Sequence, residues 1–258
     1  MVRYTPVTLD NLQSKGKTAA KPGFLGGLHE KRRETLAQFW TPDWLSRFIW
    51  QTFSPAFSED LRYSLLDNSI GSAAMFRYAD PKKFHIFGID IDHDIVDAVT
   101  TIFEGTDFRI DIEQAGMENV ELKAFSAALI NPPFSINLSS AFLKPYPGIT
   151  HYGKFGPDTS ALSHEYALAQ ALSHCDIVAA VVPQSTKDTI KRIPRFAKRL
   201  RAVFELPANT FKEENVAAVK TDLLIFDQDL ASKTAITTFR RTLNMPPLMN
   251  CRGRLCSR

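Results

Sequence analysis

The sequence predicts an α/β protein whose central β-sheet is mainly parallel and carries helices on both faces. Short apolar runs alternate with amphipathic segments along most of the chain, and continuous apolar strands separated by helices are typical of a sheet buried on both sides. The stretch between the last two runs has no helical pattern, so these two strands are expected to pair antiparallel at the sheet edge. Seven candidate strands cover residues 63–66, 85–91, 108–112, 127–130, 177–182, 202–206 and 222–226.

Helices are predicted where apolar residues recur every three or four positions. Residues 95–103, 164–173 and 189–200 fit this spacing, and Pro194 should kink the last of them. A further helix is expected after residue 40, with Thr41 as N-cap and Pro42 as its first residue. Its buried face would carry Leu45, Phe48, Ile49 and Phe53.

Composition is that of an ordered globular protein. Of 258 residues, 44% are hydrophobic and 23% are charged. We expect a flexible basic arm at residues 1–35, one α/β domain at residues 36–229 and a basic tail at residues 230–258. The net charge of +3 suits a polyanionic partner without requiring one.

Several classes of protein are disfavoured by missing patterns. No stretch of 18 apolar residues and no signal-like leader is found, so no membrane partner is expected. The cysteines Cys175, Cys251 and Cys256 are odd in number and lack zinc-site spacing, which favours a reduced, cytoplasmic setting and no bound metal. The motifs of zinc proteases, zinc deaminases and serine hydrolases are absent.

The most specific motif is Asn131-Pro132-Pro133-Phe134, which directly follows a candidate strand. Ligands of open parallel sheets bind at the carboxyl ends of strands, where this motif should lie. Two prolines make a stiff loop that presents carbonyl oxygens. The Asn131 oxygen and a proline carbonyl can accept the two N–H groups of an aromatic amine and localise its lone pair, while Phe134 stacks on the ring. The alternative is a purely structural turn.

Two further elements fit a nucleotide-like ligand. Residues 67–75 form a small-residue turn after the first strand, where a helix is expected to start and a cofactor could approach the backbone. Asp90 ends the second strand about 20 residues later, at the position that usually binds ribose hydroxyls. Asp92 is expected to cap the following helix.

Taken in this order, these motifs resemble the amino-methyltransferases of DNA, in particular the N6-adenine enzymes. Residues 67–75 are similar to their Asp-Pro-x-x-Gly-Ser-Gly-x-Phe cofactor loop, and residues 38–42 to their Gln-Phe-x-Thr-Pro element. Residues 152–167 and 182–227 resemble parts of type I restriction–modification methylation subunits. Within that stretch, residues 206–211 take the place of the element whose aromatic residue packs near a flipped base.

The resemblance implies a doubly wound, seven-stranded, Rossmann-like methyltransferase sheet with an antiparallel edge strand. It also implies S-adenosylmethionine as cofactor and methyl transfer to the N6 amine of adenine flipped out of DNA. Catalysis would rest on Asn131, Pro132, Pro133 and Phe134, and substrate binding on Phe134, Phe211 and Lys154. The cofactor would be bound by Phe39, Thr41, Pro42, Asp67, Ser69, Gly71, Ser72, Asp90, Ile91 and Asn131.

The sequence departs from the family pattern at several positions. Asn68 replaces a proline, Ala73 a glycine and Ser126 an aspartate, and residues 114–118 lack the aspartate that usually ends the third strand. These departures leave open a catalytically weak nucleic-acid-binding subunit or decoy. Enzymes that methylate a protein glutamine or an RNA base resemble the motif too, so these acceptors also stay open.

Partners are expected to include DNA. The basic residues of segment 187–201 are either a solvated helix face or a phosphate-binding surface. The resemblance ends near Asp227, and the remaining residues, about 30, are too few for a target-recognition domain. This chain alone is therefore expected to bind DNA weakly and with little sequence preference. Either a separate specificity subunit or a recognition domain missing from this chain supplies selectivity, or the enzyme is naturally unselective.

Overall fold

The computed structural model describes residues 41–140, 142–152, 159–207, 210–211 and 219–228. Within these residues, ten strands form a seven-stranded sheet and a separate three-stranded sheet. The strands are β1 (Tyr63–Asp67), β2 (Phe84–Asp90), β3 (Arg109–Gln114), β4 (Phe125–Ile130), β5 (Asn137–Ser140), β6 (His151–Tyr152), β7 (Thr159–Leu162), β8 (Cys175–Pro183), β9 (Leu200–Glu205) and β10 (Thr221–Asp227).

The large sheet has the order β3-β2-β1-β4-β8-β10-β9. The pairs from β3 through to β8 are all parallel, and β10 pairs antiparallel with both β8 and β9. The predicted mainly parallel sheet, closed by an antiparallel pair at its edge, is confirmed. Of that pair, β10 is the reversed strand and lies second from the edge, while β9 runs with the other strands.

Two hydrophobic cores lie on opposite faces of the sheet, because successive side chains of a strand point to opposite faces. Leu65 and Leu129 belong to one core and Leu66 and Ile130 to the other, and all four are fully buried. The first core includes residues of α1 (Asp43–Phe53) and α2 (His93–Phe103). The second includes residues of α3 (Ser163–His174), α4 (Thr186–Lys191) and α5 (Pro194–Ala197), so the sheet is doubly wound.

The first helix begins differently from the prediction. Helix α1 starts at Asp43, and Pro42 is its N-cap, with φ −60° and ψ 150°. The Pro42 carbonyl accepts the N–H groups of Leu45 and Ser46, so the cap is made by backbone. Thr41 was wrongly predicted as the N-cap. Its hydroxyl instead accepts a hydrogen bond from Asn131.

The prediction of one kinked helix over residues 189–200 was also wrong. Two short helices, α4 and α5, occupy this region, and Pro194 is the first residue of α5. A proline has no N–H and its ring clashes with the preceding turn, so it begins a helix more readily than it continues one. Residue Leu200 already belongs to strand β9.

No α-helix follows the turn after β1, although one was expected; the described residues 68–83 hold only the 3₁₀ turn Ala74–Phe76. Helix α1 lies over this turn instead. Ser46 Oγ and Trp50 Nε1 both donate to the Met75 carbonyl, at 3.2 and 2.6 Å. The backbone of the turn is thus satisfied by a helix that precedes it in sequence.

The three-stranded sheet, in the order β5-β7-β6, was not predicted. Its strands have two to four residues and an irregular polar pattern, which gives little period-two signal. The predicted arm at residues 1–35 and tail at residues 230–258 lie outside the described residues, and the domain boundaries stay a prediction. None of the helices in the described part of the chain is long and apolar enough to cross a membrane.

Gly88 in β2 permits the turn after β1 to pack closely on the sheet. A Cβ at this position would lie 2.4 Å from Ile70 Cδ1. We expect Gly88→Ala to lower the free energy of unfolding by about 1–3 kcal/mol through overpacking, measured by urea denaturation. The double variant Gly88→Ala/Ile70→Ala should lose less than the sum of its single variants, because the Ile70 side chain beyond Cβ is gone. Additive losses would show that this contact is not the constraint.

Candidate active site

The pocket lies at the carboxyl ends of β1, β2 and β4, where the parallel sheet predicts it. It is formed by the turn after β1, the ends of β2 and β3, and the loop after β4. Several predicted site residues come together in its wall: Thr41, Asp67, Ser69, Gly71, Ser72, Asp90, Ile91, Asn131 and Pro133. Phe39 and Lys154 lie outside the described residues.

The turn over residues 68–75 is bound to the sheet through its backbone. Ile70 N–H donates to the Ile89 carbonyl at 2.9 Å, and Gly71 N–H donates to Asp90 Oδ2 at 2.9 Å. Gly71 and Ala73 have φ values of +50° and +55°. Glycine adopts such angles without strain, so Ala73 keeps the left-handed conformation at a steric cost.

Asp90 is a buried carboxylate that organises the pocket. Its second oxygen accepts Asp92 N–H at 3.0 Å, so each oxygen bonds to backbone. Burial raises the pKa of Asp90 and the Asp92 carboxylate adds to the rise, while the backbone hydrogen bonds lower it. Asp92 caps α2 by accepting Asp94 N–H at 3.1 Å, which confirms the N-cap prediction.

Asn68, a departure from the family pattern, connects three elements around the pocket. Its amide nitrogen donates to the Ala167 carbonyl at 2.9 Å and to Gln170 Oε1 at 2.8 Å, both on α3. Gln170 then donates to the Met117 carbonyl at 2.7 Å. This substitution thus fixes the turn to α3, and α3 to the segment after β3.

The segment after β3 also contributes a carboxylate that the motif comparison did not anticipate. Glu118 lines the pocket in the stretch where the family pattern has an aspartate. A Cβ on Gly116 would lie 2.6 Å from Glu118 Oε1, so this carboxylate lies directly over Gly116. Ser126, the remaining departure, exchanges hydrogen bonds with Ser64 at the start of β4, five positions before Asn131.

The loop after β4 presents Asn131 in a defined orientation. Asn131 Nδ2 donates to Thr41 Oγ1 at 3.1 Å, and the amide oxygen lies on the other side of the group. The Pro133 carbonyl accepts Ser163 Oγ at 2.6 Å. Pro132 is buried and does not line the pocket.

Phe134 and Phe211, both predicted to bind the substrate base, lie next to each other. Their ring centroids lie 5.9 Å apart in an edge-to-face arrangement, and both side chains are buried. The His164 ring lies 6.5 Å from Phe134, also edge-to-face. His164 is 1% exposed, and burial lowers the pKa of its imidazole to about 4, so it is neutral at neutral pH.

Ser163 and His164 are site residues that sequence reasoning missed. Both contact the Asn131–Phe134 loop or its continuation, through hydrogen bonds across about 30 positions of sequence. Nothing in the local pattern signals contacts of that range.

Some basic residues of segment 187–201 bind buried groups of the protein, and the others are exposed to solvent. Lys187 Nζ lies 3.2 Å from the fully buried Asp222 carboxylate. Arg199 is buried and donates to the carbonyls of Leu172, Cys175 and Asp176. The side chains left exposed are those of Lys191, Arg192, Arg195 and Lys198.

Comparison with known proteins identifies the fold. No protein-family model matches the sequence, and no curated protein does. A type I restriction–modification system methyltransferase subunit from Streptococcus thermophilus aligns with TM-score 0.61 and 16% identity over 92% of this chain and 62% of its own. A structure from Listeria monocytogenes, described as a class I S-adenosylmethionine-dependent methyltransferase, aligns with TM-score 0.57 and 15% identity over 75% of this chain and 62% of its own.

These likenesses show that the chain has the fold of class I S-adenosylmethionine-dependent methyltransferases. The strand order and the reversed β10 belong to the same Rossmann-like architecture. The chain spans about three fifths of the length of both structures.

Asp67 should make stability depend on pH. Burial raises the pKa of this carboxyl to about 8, and the Asp90 carboxylate adds to the rise. Between about pH 4 and pH 8 the unfolded chain has lost this proton and the folded chain keeps it. The contribution of Asp67 to the free energy of unfolding is therefore fully present below about pH 4. As the pH rises to about 8, this contribution falls by about 1.4 kcal/mol per pH unit.

We expect Asp67→Asn to remove this slope, so the variant gains stability relative to the wild type from pH 5 to pH 8. Urea unfolding across that range measures it, with the surface substitution Asp60→Asn as control for loss of a carboxylate. A difference between wild type and Asp67→Asn that stays constant with pH would contradict the raised pKa.

Proposed function

We propose that this chain transfers a methyl group from S-adenosylmethionine to the N6 amine of adenine in DNA. The observation that carries the proposal is the loop Asn131–Phe134 at the carboxyl end of β4, whose residues Asn131 and Pro133 line the pocket. The Asn131 amide is already oriented there by Thr41. The fold supports methyl transfer, and the motif supports an aromatic amine as acceptor.

The pocket fits this cofactor. Ser69 lines it, and its hydroxyl is buried without a hydrogen-bond partner among the described residues, so this hydroxyl would be a donor to a ligand carboxylate. Asp90 would accept the ribose hydroxyls at the end of β2. Glu118 would replace the missing aspartate and accept a hydrogen bond from the amine of the cofactor adenine. When bound, the cofactor supplies a methyl group activated by a sulfonium.

The chain would act mainly by positioning the target amine. Asn131 Oδ1 and a proline carbonyl of the loop would each accept one N–H of the target amine. Two acceptors hold the nitrogen closer to tetrahedral and localise its lone pair toward the methyl donor. An activated donor needs no strong general base, so orientation and electrostatics carry the rate.

The target base must leave the duplex to reach this site, since a stacked and paired amine cannot meet the methyl group in line. Phe134 would stack on the flipped ring. The edge of Phe211, whose ring centre lies 5.9 Å from that of Phe134, would move to admit it. A specificity subunit or a further recognition domain would select the sequence, and the likeness to a restriction–modification subunit supports that arrangement.

A non-catalytic subunit is the alternative suggested by the turn over residues 68–75, here called the cofactor turn, because it departs from the family pattern. The contacts of Asn68 and the left-handed backbone of Ala73 favour the enzyme, because the turn keeps an ordered path around the pocket. Protein glutamine and RNA bases are the alternative acceptors. The three acceptors are distinguished by finding which of them receives a radiolabelled methyl group.

Radiolabelled S-adenosylmethionine should label DNA, and nucleoside analysis should recover N6-methyladenine. The matched control is Asn131→Ala, which removes the amide oxygen and should abolish the label. Label recovered on cytosine, RNA or protein would reject the adenine assignment, and absence of cofactor binding in calorimetry would indicate the non-catalytic subunit.

The roles of Asn131 and Asp90 should separate in kinetics. Asn131→Ala should lower kcat by about 100-fold or more while cofactor affinity changes little, as expected for a group that acts on the reacting amine. Asp90→Ala should mainly weaken cofactor binding, because its contacts with Gly71 and the ribose are lost. Asn137→Ala, an exposed asparagine of β5, is the control. Equal losses of kcat and affinity in both variants would contradict these roles.

A further inference from the structure

We propose that Ser163 and His164 are positioning residues. They hold the loop of residues 131–136, here called the catalytic loop, at a fixed place relative to the cofactor turn. They form the first two positions of α3, and the same helix holds the cofactor turn through Gln170. The inference rests on the proposed function, because it assigns to α3 the alignment of methyl donor and acceptor.

Ser163 makes three hydrogen bonds with the loop that follows Asn131. Its hydroxyl donates to the Pro133 carbonyl at 2.6 Å and accepts Ile136 N–H at 3.2 Å. Its own N–H donates to the Ile136 carbonyl at 2.8 Å. One short side chain therefore holds the loop on both sides of Phe134 and Ser135.

His164 holds the residue between these contacts. Its Nδ1 accepts Ser135 N–H at 3.0 Å, which requires the proton of the neutral ring to sit on Nε2. Ser135 has φ +59°, a left-handed conformation that is unfavourable for a residue other than glycine. Such a conformation persists only where surrounding contacts determine it, and His164 supplies that contact.

The two prolines make this external support necessary. Pro132 and Pro133 have no N–H groups, so the loop cannot be held through them as donors. The N–H groups of Ser135 and Ile136 are both engaged by α3. The backbone position of Asn131–Phe134 therefore depends on the first turn of this helix.

Gln170 lies two turns later, roughly 10 Å along the helix axis from Ser163. It accepts from Asn68 in the cofactor turn and donates to the Met117 carbonyl beside Glu118. Helix α3 thus contacts the catalytic loop through its first turn. Two turns later it contacts the cofactor turn and the segment after β3. Helix α3 would set the distance between the methyl group and the target amine.

The test compares two substitutions of His164. Asparagine places Oδ1 where Nδ1 stands and keeps the acceptor for Ser135, whereas leucine keeps the bulk and removes the acceptor. We expect His164→Leu to lower kcat for DNA methylation about tenfold or more, with the cofactor dissociation constant within about twofold of wild type. His164→Asn should restore most of the rate. His174→Leu, at the other end of α3, controls for loss of an imidazole from the helix.

Amide hydrogen exchange at residues 135 and 136 provides a readout that needs no substrate. Exchange there should accelerate in His164→Leu and return toward wild type in His164→Asn. Ser163→Ala, which removes only the hydroxyl, is the second variant if leucine prevents folding, and it should accelerate exchange at residue 136.

The outcomes are distinct. Unchanged exchange in the leucine and alanine variants, no rescue by asparagine, or an equal loss of kcat and cofactor affinity would overturn the positioning role. If the wild type transfers no methyl group to DNA while exchange responds as expected, the proposed reaction is rejected and the support of the loop by α3 stands.

Discussion

The parallel pairing of β1 with β2 on one side and β4 on the other is the constraint on which the site depends. Neighbouring strands lie about 4.8 Å apart, and parallel strands end at the same edge. The register pairs Asp67 with Gly88 and Leu66 with Ala128. Asp67, the end of β2 and the loop after β4 are therefore neighbours before any side-chain contact is made. The turn, the carboxylate and the amide need only short connections to meet.

Around that edge, buried polar groups are satisfied by contacts between elements distant in sequence. The turn after β1 has no helix of its own to bind its backbone among the described residues, and α1, β2 and α3 each supply hydrogen bonds to it. The loop after β4 contains two prolines and is held by α3 in the same way. An unmade hydrogen bond in such a place costs more than a made one contributes. The site is therefore sensitive to substitutions outside the pocket wall.

The sheet could be predicted from sequence because its central strands are apolar on both faces, as in β4 and β8. The loop Asn131–Phe134 was recognisable because its residues are adjacent in sequence. The first turn of α3 was not, since Ser163 meets Pro133 only after the chain has passed through three short strands. Periodicity also misled where Pro194 divides one apparent helix into two. Local patterns predicted the elements, and long-range hydrogen bonds decided how the loops are held.

The contact between Trp50 and the turn has an optical consequence. The indole N–H of this buried side chain donates to the Met75 carbonyl, and both residues Met75 and Ala74 belong to the pocket wall. The emission of a tryptophan depends on the polarity around its indole ring and on its hydrogen bond. The sequence has two other tryptophans, Trp40 and Trp44, and replacing them with phenylalanine would leave Trp50 as the sole emitter. The protein then carries a built-in fluorescent reporter that follows the turn when a ligand enters.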